Sequence, residues 1–165
     1  MGRVIEITPD NGATPDERFP SIFLAGTIDM GEGELWQERV LQRMQCSGLC
    51  ANVYNPRREK FELTEESQNF QINWELDLLL SPKLDIIFMY FSPGSKSPIT
   101  LLELGFSTSN PDKVILMCND GFYRYLNVKF TADRYNIPVH PSLERGYTRL
   151  VNKFENVYGQ EVQGH

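Results

Sequence analysis

Six consecutive apolar residues, Ile86-Ile-Phe-Met-Tyr-Phe91, follow Asp85 and run straight into a loop containing Gly94, Ser95 and Ser97. A run of this kind offers no polar face to water. It predicts a central strand covered on both sides, the habit of a parallel sheet packed between two helix layers.

The flanking sequence extends the pattern. Ser21–Gly26 reads as a first central strand, and Gly31 to Gly33 open a helix over about 34–45 that buries Leu35, Trp36, Val40, Leu41 and Met44. A strand at 51–54 stops at Asn55-Pro56, because proline cannot donate to a ladder. Thr64, Glu65 and Glu66 begin a helix by capping chemistry, and Ser81-Pro82 ends it. After the apolar run come a helix carrying Glu103, a strand at 114–118, a short helix near 122–133, a short strand at 137–140 and a last helix over about 142–157. Residues 3–8 read as an extra edge strand followed by a loop, and 159–165 as a frayed tail. Strands alternating with helices predict an α/β domain spanning 1–165, a flavodoxin-like doubly wound sheet of about five mainly parallel strands with helices on both faces.

Composition narrows the function. A chain of 165 residues with 41% hydrophobic content has the material for one sizeable core. Its formal charge of -6 argues against gripping nucleic acid through phosphates, so a small substrate or a protein partner fits better. The sequence contains no apolar run of membrane-spanning length, and the N-terminus lacks the apolar core of a signal peptide, which predicts a cytoplasmic protein that does not enter a membrane. Cys46 and Cys50 have no second Cys/His pair to complete a tetrahedral site, so no metal is expected.

In doubly wound sheets, ligands bind at the carboxyl ends of the strands where strand order reverses. That rule selects Gly26 to Asp29, Asn55 to Arg58, Phe91 to Ser97 and Asn119 to Phe122. Just beyond the third segment stands Glu103, the single charge among residues 98–106. A desolvated carboxylate must be paired or take a raised pKa. There is no GxGxxG, Walker A or GxSxG motif. What remains is acidic: Asp29, Glu75, Asp77 and Glu103, and paired carboxylates suit glycosidic chemistry.

Over roughly residues 21–130, these features resemble the nucleoside 2-deoxyribosyltransferase family: the Gly26-Thr27 turn, the helix bearing Asp77, the strand opening at Asp85, the Leu102-Glu103-Leu104-Gly105 signature and Asn127 in Leu126-Asn127-Val128. The resemblance implies that Glu103 is the nucleophile and Asp77 the group near the leaving base. It also implies that Asn127 serves the site of a neighbouring subunit, hence a homo-oligomer acting on nucleosides and free bases with no cofactor. Gly26 and Thr27 would let the backbone approach the ligand, and Trp36 or Phe122 would cover the base. Glu75 and Asp77 lie about 200° apart on a helix, so one of them faces the site, and spacing favours Asp77.

One departure bears on substrate. Many of the transferases carry an aspartate six residues before the nucleophile, whereas this chain has Ser97. Serine there is similar to the 2′-deoxynucleoside 5′-monophosphate N-hydrolase branch, and Arg57 and Arg58 offer the fork geometry that suits phosphate. The alternatives to a transferase are therefore that hydrolase and a nucleotide-binding module without turnover.

Overall fold

The computed structural model describes residues 2–27, 35–58 and 62–164. Six strands, β1 (Arg3–Ile7), β2 (Ser21–Gly26), β3 (Cys50–Tyr54), β4 (Ile86–Phe91), β5 (Val114–Cys118) and β6 (Val139–His140), form one sheet in the order β1-β3-β2-β4-β5-β6. Every pairing is parallel. From β2 onward this is the flavodoxin-like order, to which β1 adds an outer edge beside β3. The sheet has six strands against the expected five or so, the sixth being the edge strand that residues 3–8 suggested.

Five α-helices cover it: α1 (Trp36–Cys46), α2 (Glu65–Leu80), α3 (Pro98–Ser107), α4 (Tyr125–Arg134) and α5 (Leu143–Asn156). Alternation along the strands divides the core in two. Ile22, Leu24, Phe88 and Tyr90 point to one face, where Trp36 and Met44 of α1 meet Tyr147, Leu150 and Phe154 of α5. Phe23, Ala25, Met89 and Phe91 point to the other, under Trp74 of α2, Leu104 of α3 and Val128 of α4. All six residues of β4 are buried, which is why its sequence has no polar alternation. Among the described residues, no helix is long and apolar enough to cross a membrane.

Local chemistry sets the helix ends. The Thr64 hydroxyl accepts from the Ser67 amide, and the Ser142 hydroxyl accepts from the Arg145 amide, each satisfying one orphan N–H of a first turn. The loop before β2 is pinned by Asn52, whose side-chain amide donates to the Asp16 and Phe19 carbonyls while its oxygen accepts from the Asp16 amide.

The tail is tied to the fold at particular residues. It forms no regular element, yet the Gln160 side chain accepts from the Cys50 amide at 2.8 Å and donates to the Cys50 carbonyl at 2.9 Å, like a short strand partner. Tyr158 and Val162 pack on the core, and the Gln163 amide donates to the Ser47 carbonyl. The start of β3 has backbone groups to satisfy, and the tail satisfies them.

Candidate active site

Strand order reverses around β2, so the gap between the carboxyl ends of β2 and β4 is the switch point. Gly26 ends β2 there, and the space for it is tight. A Cβ on Gly26 would lie 2.5 Å from the Tyr90 carbonyl oxygen and 2.6 Å from the Trp36 ring. Only glycine lets the two strands and the indole come this close.

Beyond the strand ends, three hydroxyls form a closed cluster. Thr27 Oγ1 lies 2.5 Å from Ser97 Oγ and 3.0 Å from Ser95 Oγ, and the two serines are 2.9 Å apart. The cluster is anchored where Thr27 Oγ1 accepts from the Ser92 amide and Ser95 Oγ donates to the Ser92 carbonyl. Ser97 precedes α3 in the left-handed conformation, with φ 45° and ψ 49°. A non-glycine residue held there costs about 1 kcal/mol and persists because its surroundings fix it. Pro98 then starts α3 with the φ that a first helical turn requires.

A cavity of about 360 Å³ opens at this point, walled by one face of α2 and one face of α3. From α2 come Gln68, Gln71, Ile72 and Glu75, the i, i+3, i+4, i+7 positions of one stripe; from α3 come Ile99, Thr100 and Glu103. Glu103 is 7% exposed, and among the described residues its carboxyl has no hydrogen-bond partner. Burial, reinforced by the charge of Glu75, pushes it up to about 8. Burial also raises Glu75, opposed by the hydrogen bond it receives from Gln71 at 3.1 Å. Two acids on two helices therefore face one poorly hydrated space, and each is held toward its protonated form.

The structure distributes the sequence-selected residues unevenly. Gly26, Arg58, Glu75, Ser97 and Glu103 line the cavity, and Thr27 stands behind Ser97. Asp77 does not: it is exposed on the opposite side of α2 from Glu75, so the acid that shares the cavity with Glu103 is Glu75. Trp36 is wholly buried and donates its indole N–H to the Thr27 carbonyl, and Phe122 packs on Phe91 at 5.0 Å. Both aromatics are core rather than covers for a base.

Asn55 donates to Glu6 and accepts from the Arg57 amide, holding the turn after β3. Arg57 reaches Gln37 and does not line the cavity. Arg58 lines it with its fork already committed to Asp10, at 2.9 and 2.7 Å. Asn127 lies across α3, in a separate groove with Leu101, Leu104 and Gly105. Asp29, and the glycines expected to open α1, lie outside the described residues.

Gln68, Gln71, Ile72, Lys96, Ile99 and Thr100 were not singled out by sequence. The α2 stripe was the available signal: a glutamine four residues before an acid shares its face. Among the described residues, no group of three or more Cys, His, Asp or Glu is placed to hold a metal ion.

Comparison with known proteins gives one finding of weight. A family described as nucleoside 2-deoxyribosyltransferase like matches residues 19–122, from the turn before β2 to Phe122, and so takes in the hydroxyl cluster and both cavity acids. No individual curated protein matches the chain. Since the matched segment is well over half of the sequence, the chain belongs to the nucleoside 2-deoxyribosyltransferase-like family.

Proposed function

We propose that the protein cleaves the N-glycosidic bond of 2′-deoxyribonucleosides and passes the deoxyribosyl group to another base through an ester on Glu103. The observation that carries this reading is that Glu103, itself buried, and Glu75 line one cavity at the switch point. In the first step a Glu103 carboxylate oxygen bonds to C1′ as the C1′–N bond breaks, and its electrons leave with the base. Glu75, as the acid, gives the base nitrogen its proton. An acceptor base then attacks C1′, the ester C–O bond breaks, the electrons return to Glu103, and Glu75 takes the acceptor's proton.

The reactive state is the one in which Glu103 has given up its proton and Glu75 keeps one, a state that fills as pH rises toward about 8. From there the pair carries one negative charge throughout, on Glu103 before attack, on Glu75 while the ester stands, and on Glu103 again at the end. A low-dielectric cavity favours such a constant total. No step calls for a metal or cofactor. Asp77, which the family resemblance put in the acid role, yields that role to Glu75 because it lies on the far face of α2.

A second reading has its own support. Lys96 and Ser97 line the cavity, and the hydroxyls of Thr27 and Ser95 behind Ser97 are neutral, so a substrate 5′-phosphate would meet a cation and no fixed anion there. On that reading the protein hydrolyses 2′-deoxynucleoside 5′-monophosphates, with water in place of the acceptor base. We further propose that a second copy covers the ridge formed by Leu102, Phe106, Leu126 and Phe130, all of them at least 45% exposed, where Asn127 also lies.

Incubation with deoxynucleosides and deoxynucleotides, with and without an acceptor base, tests both readings. Base exchange supports the transferase, and free base without exchange supports the hydrolase. Release of no base from any of them, with no deoxyribosyl adduct on Glu103 by intact mass, rejects both.

A further inference from the structure

Gln71 stands one turn before Glu75 on the cavity face of α2 and is 8% exposed. Its Nε2 is fully engaged, donating to the Pro56 carbonyl at 3.0 Å and to Glu75 Oε1 at 3.1 Å. Those two acceptors assign the amino end of the amide and turn the oxygen the other way. Among the described residues, that oxygen is the single side-chain N or O atom wholly sealed from solvent and without a hydrogen-bond partner. Native interiors rarely leave such an acceptor orphaned, and in a cavity wall a donor on a ligand can complete it. The terminal torsion of a glutamine is broad, and a rotation that loosens one of the two Nε2 bonds would present Oε1 to the cavity when a ligand donor is there to meet it.

With Glu75 acting as the acid, the wall shows a proton donor and, beside it, an acceptor with no donor of its own. We infer that the cavity selects a base whose proton-accepting ring nitrogen lies next to an N–H donor, which among purines means the N7 and 6-amino edge of a 6-aminopurine rather than the N7 and 6-oxo edge of a 6-oxopurine. Glu75 meets N7, and Gln71 Oε1 accepts from the 6-amino group. A 6-oxopurine sets its O6 against Oε1, acceptor against acceptor. Ile72 and Ile99, 52% and 59% exposed on the two helices that wall the cavity, supply apolar surface for the ring faces.

This inference rests on the proposed role of Glu75, so its test avoids turnover. Binding of 2′-deoxyadenosine and 2′-deoxyinosine to Glu103→Gln, which cannot form the ester, is measured by titration calorimetry. The expected result is 2′-deoxyadenosine tighter by at least ~10-fold, since a site that hydrogen-bonds an amino group strongly rejects the analogue lacking it. Adding Gln71→Leu brings the two within about 2-fold of each other by weakening the amino nucleoside most. Equal or tighter binding of 2′-deoxyinosine, a preference that survives the loss of Gln71, or no binding of either, overturns the inference. Should Gln71→Leu fail to fold, Gln71→Met is its replacement, and the preference measured with Gln71 intact still decides. A protein that prefers 2′-deoxyadenosine through Gln71 and never cleaves it keeps this inference and loses the transferase reading; one that cleaves both nucleosides equally does the reverse.

Discussion

The hydroxyls of Thr27 and Ser97 meet at 2.5 Å, tying the end of β2 to the residue that launches α3. Ser97 holds this contact from a left-handed backbone and lines the cavity together with Thr100 and Glu103 of α3.

The contact makes position 97 the place to test the 5′ end of the substrate. Ser97→Asp puts an anion where a 5′-phosphate would approach, and like charges in a poorly hydrated site repel strongly. The ratio of kcat/KM for 2′-deoxynucleosides to that for their 5′-monophosphates should rise at least ~10-fold, on the order of 1.4 kcal/mol. An unchanged ratio means that the 5′ end lies elsewhere.

Glu75 and Asp77 separate by mutation. Glu75→Gln should lower kcat by about 10²–10⁴-fold, the usual worth of a positioned acid, while Asp77→Asn stays near wild type. A substrate whose base leaves without protonation, such as an N7-methylated purine deoxyribonucleoside, should recover most of the Glu75→Gln loss. Failure of that rescue would remove Glu75 from the acid role.

Glu103 links stability to pH. Its folded-state value of about 8 lies above the ordinary 4.5, so between these values the folded protein keeps a proton that the unfolded chain has released. Its contribution to stability is fully present below about 4.5 and is lost as pH rises through about 8. Glu103→Gln cannot titrate. Its Tm should therefore exceed that of the wild type at pH 9 by more than at pH 5, with a gap of roughly 3–10 °C for about 1–3 kcal/mol. Parallel melting profiles across this range would show that the carboxyl is not held protonated.

Gly26→Ala should destabilise the fold by about 2–4 kcal/mol, because the new methyl meets backbone at Tyr90 as well as the Trp36 ring and neither can withdraw cheaply. Urea unfolding at neutral pH measures it. A change under ~0.5 kcal/mol would mean that the β2–β4 gap is looser than its packing indicates.

Much of the fold is legible in the sequence because burial leaves a direct trace. The strands at the centre of the sheet are runs with no polar residue, and Thr64 and Ser142 mark two helix starts by chemistry that needs no tertiary knowledge. Strand β6, only two residues long, leaves a far fainter trace. Glu103 stands out for a similar reason, as the one charge in an apolar helix.

Other parts of the site depend on partners that sequence does not display. Helix α2 exposes Phe70, Ile72 and Leu80 while burying Gln71, so its polarity does not tell which side faces inward, and the choice between Glu75 and Asp77 needs the neighbouring helix. Arg58 finds Asp10, 48 residues away, and Trp36 finds a backbone carbonyl. Long-range hydrogen bonds of this kind settle whether a polar or aromatic residue serves the ligand or the fold.

Helix α3 walls the cavity on one side and the Asn127 groove on another, and it turns Leu102 and Phe106 to the outside. Apart from Glu103 it has no charged residue to hold it in water. How often it loosens from the sheet is therefore governed by whatever rests on that outer ridge. On the proposed mechanism, the survival time of an ester on Glu103 against stray water would then be a property of the outside of the helix as much as of the chemistry within.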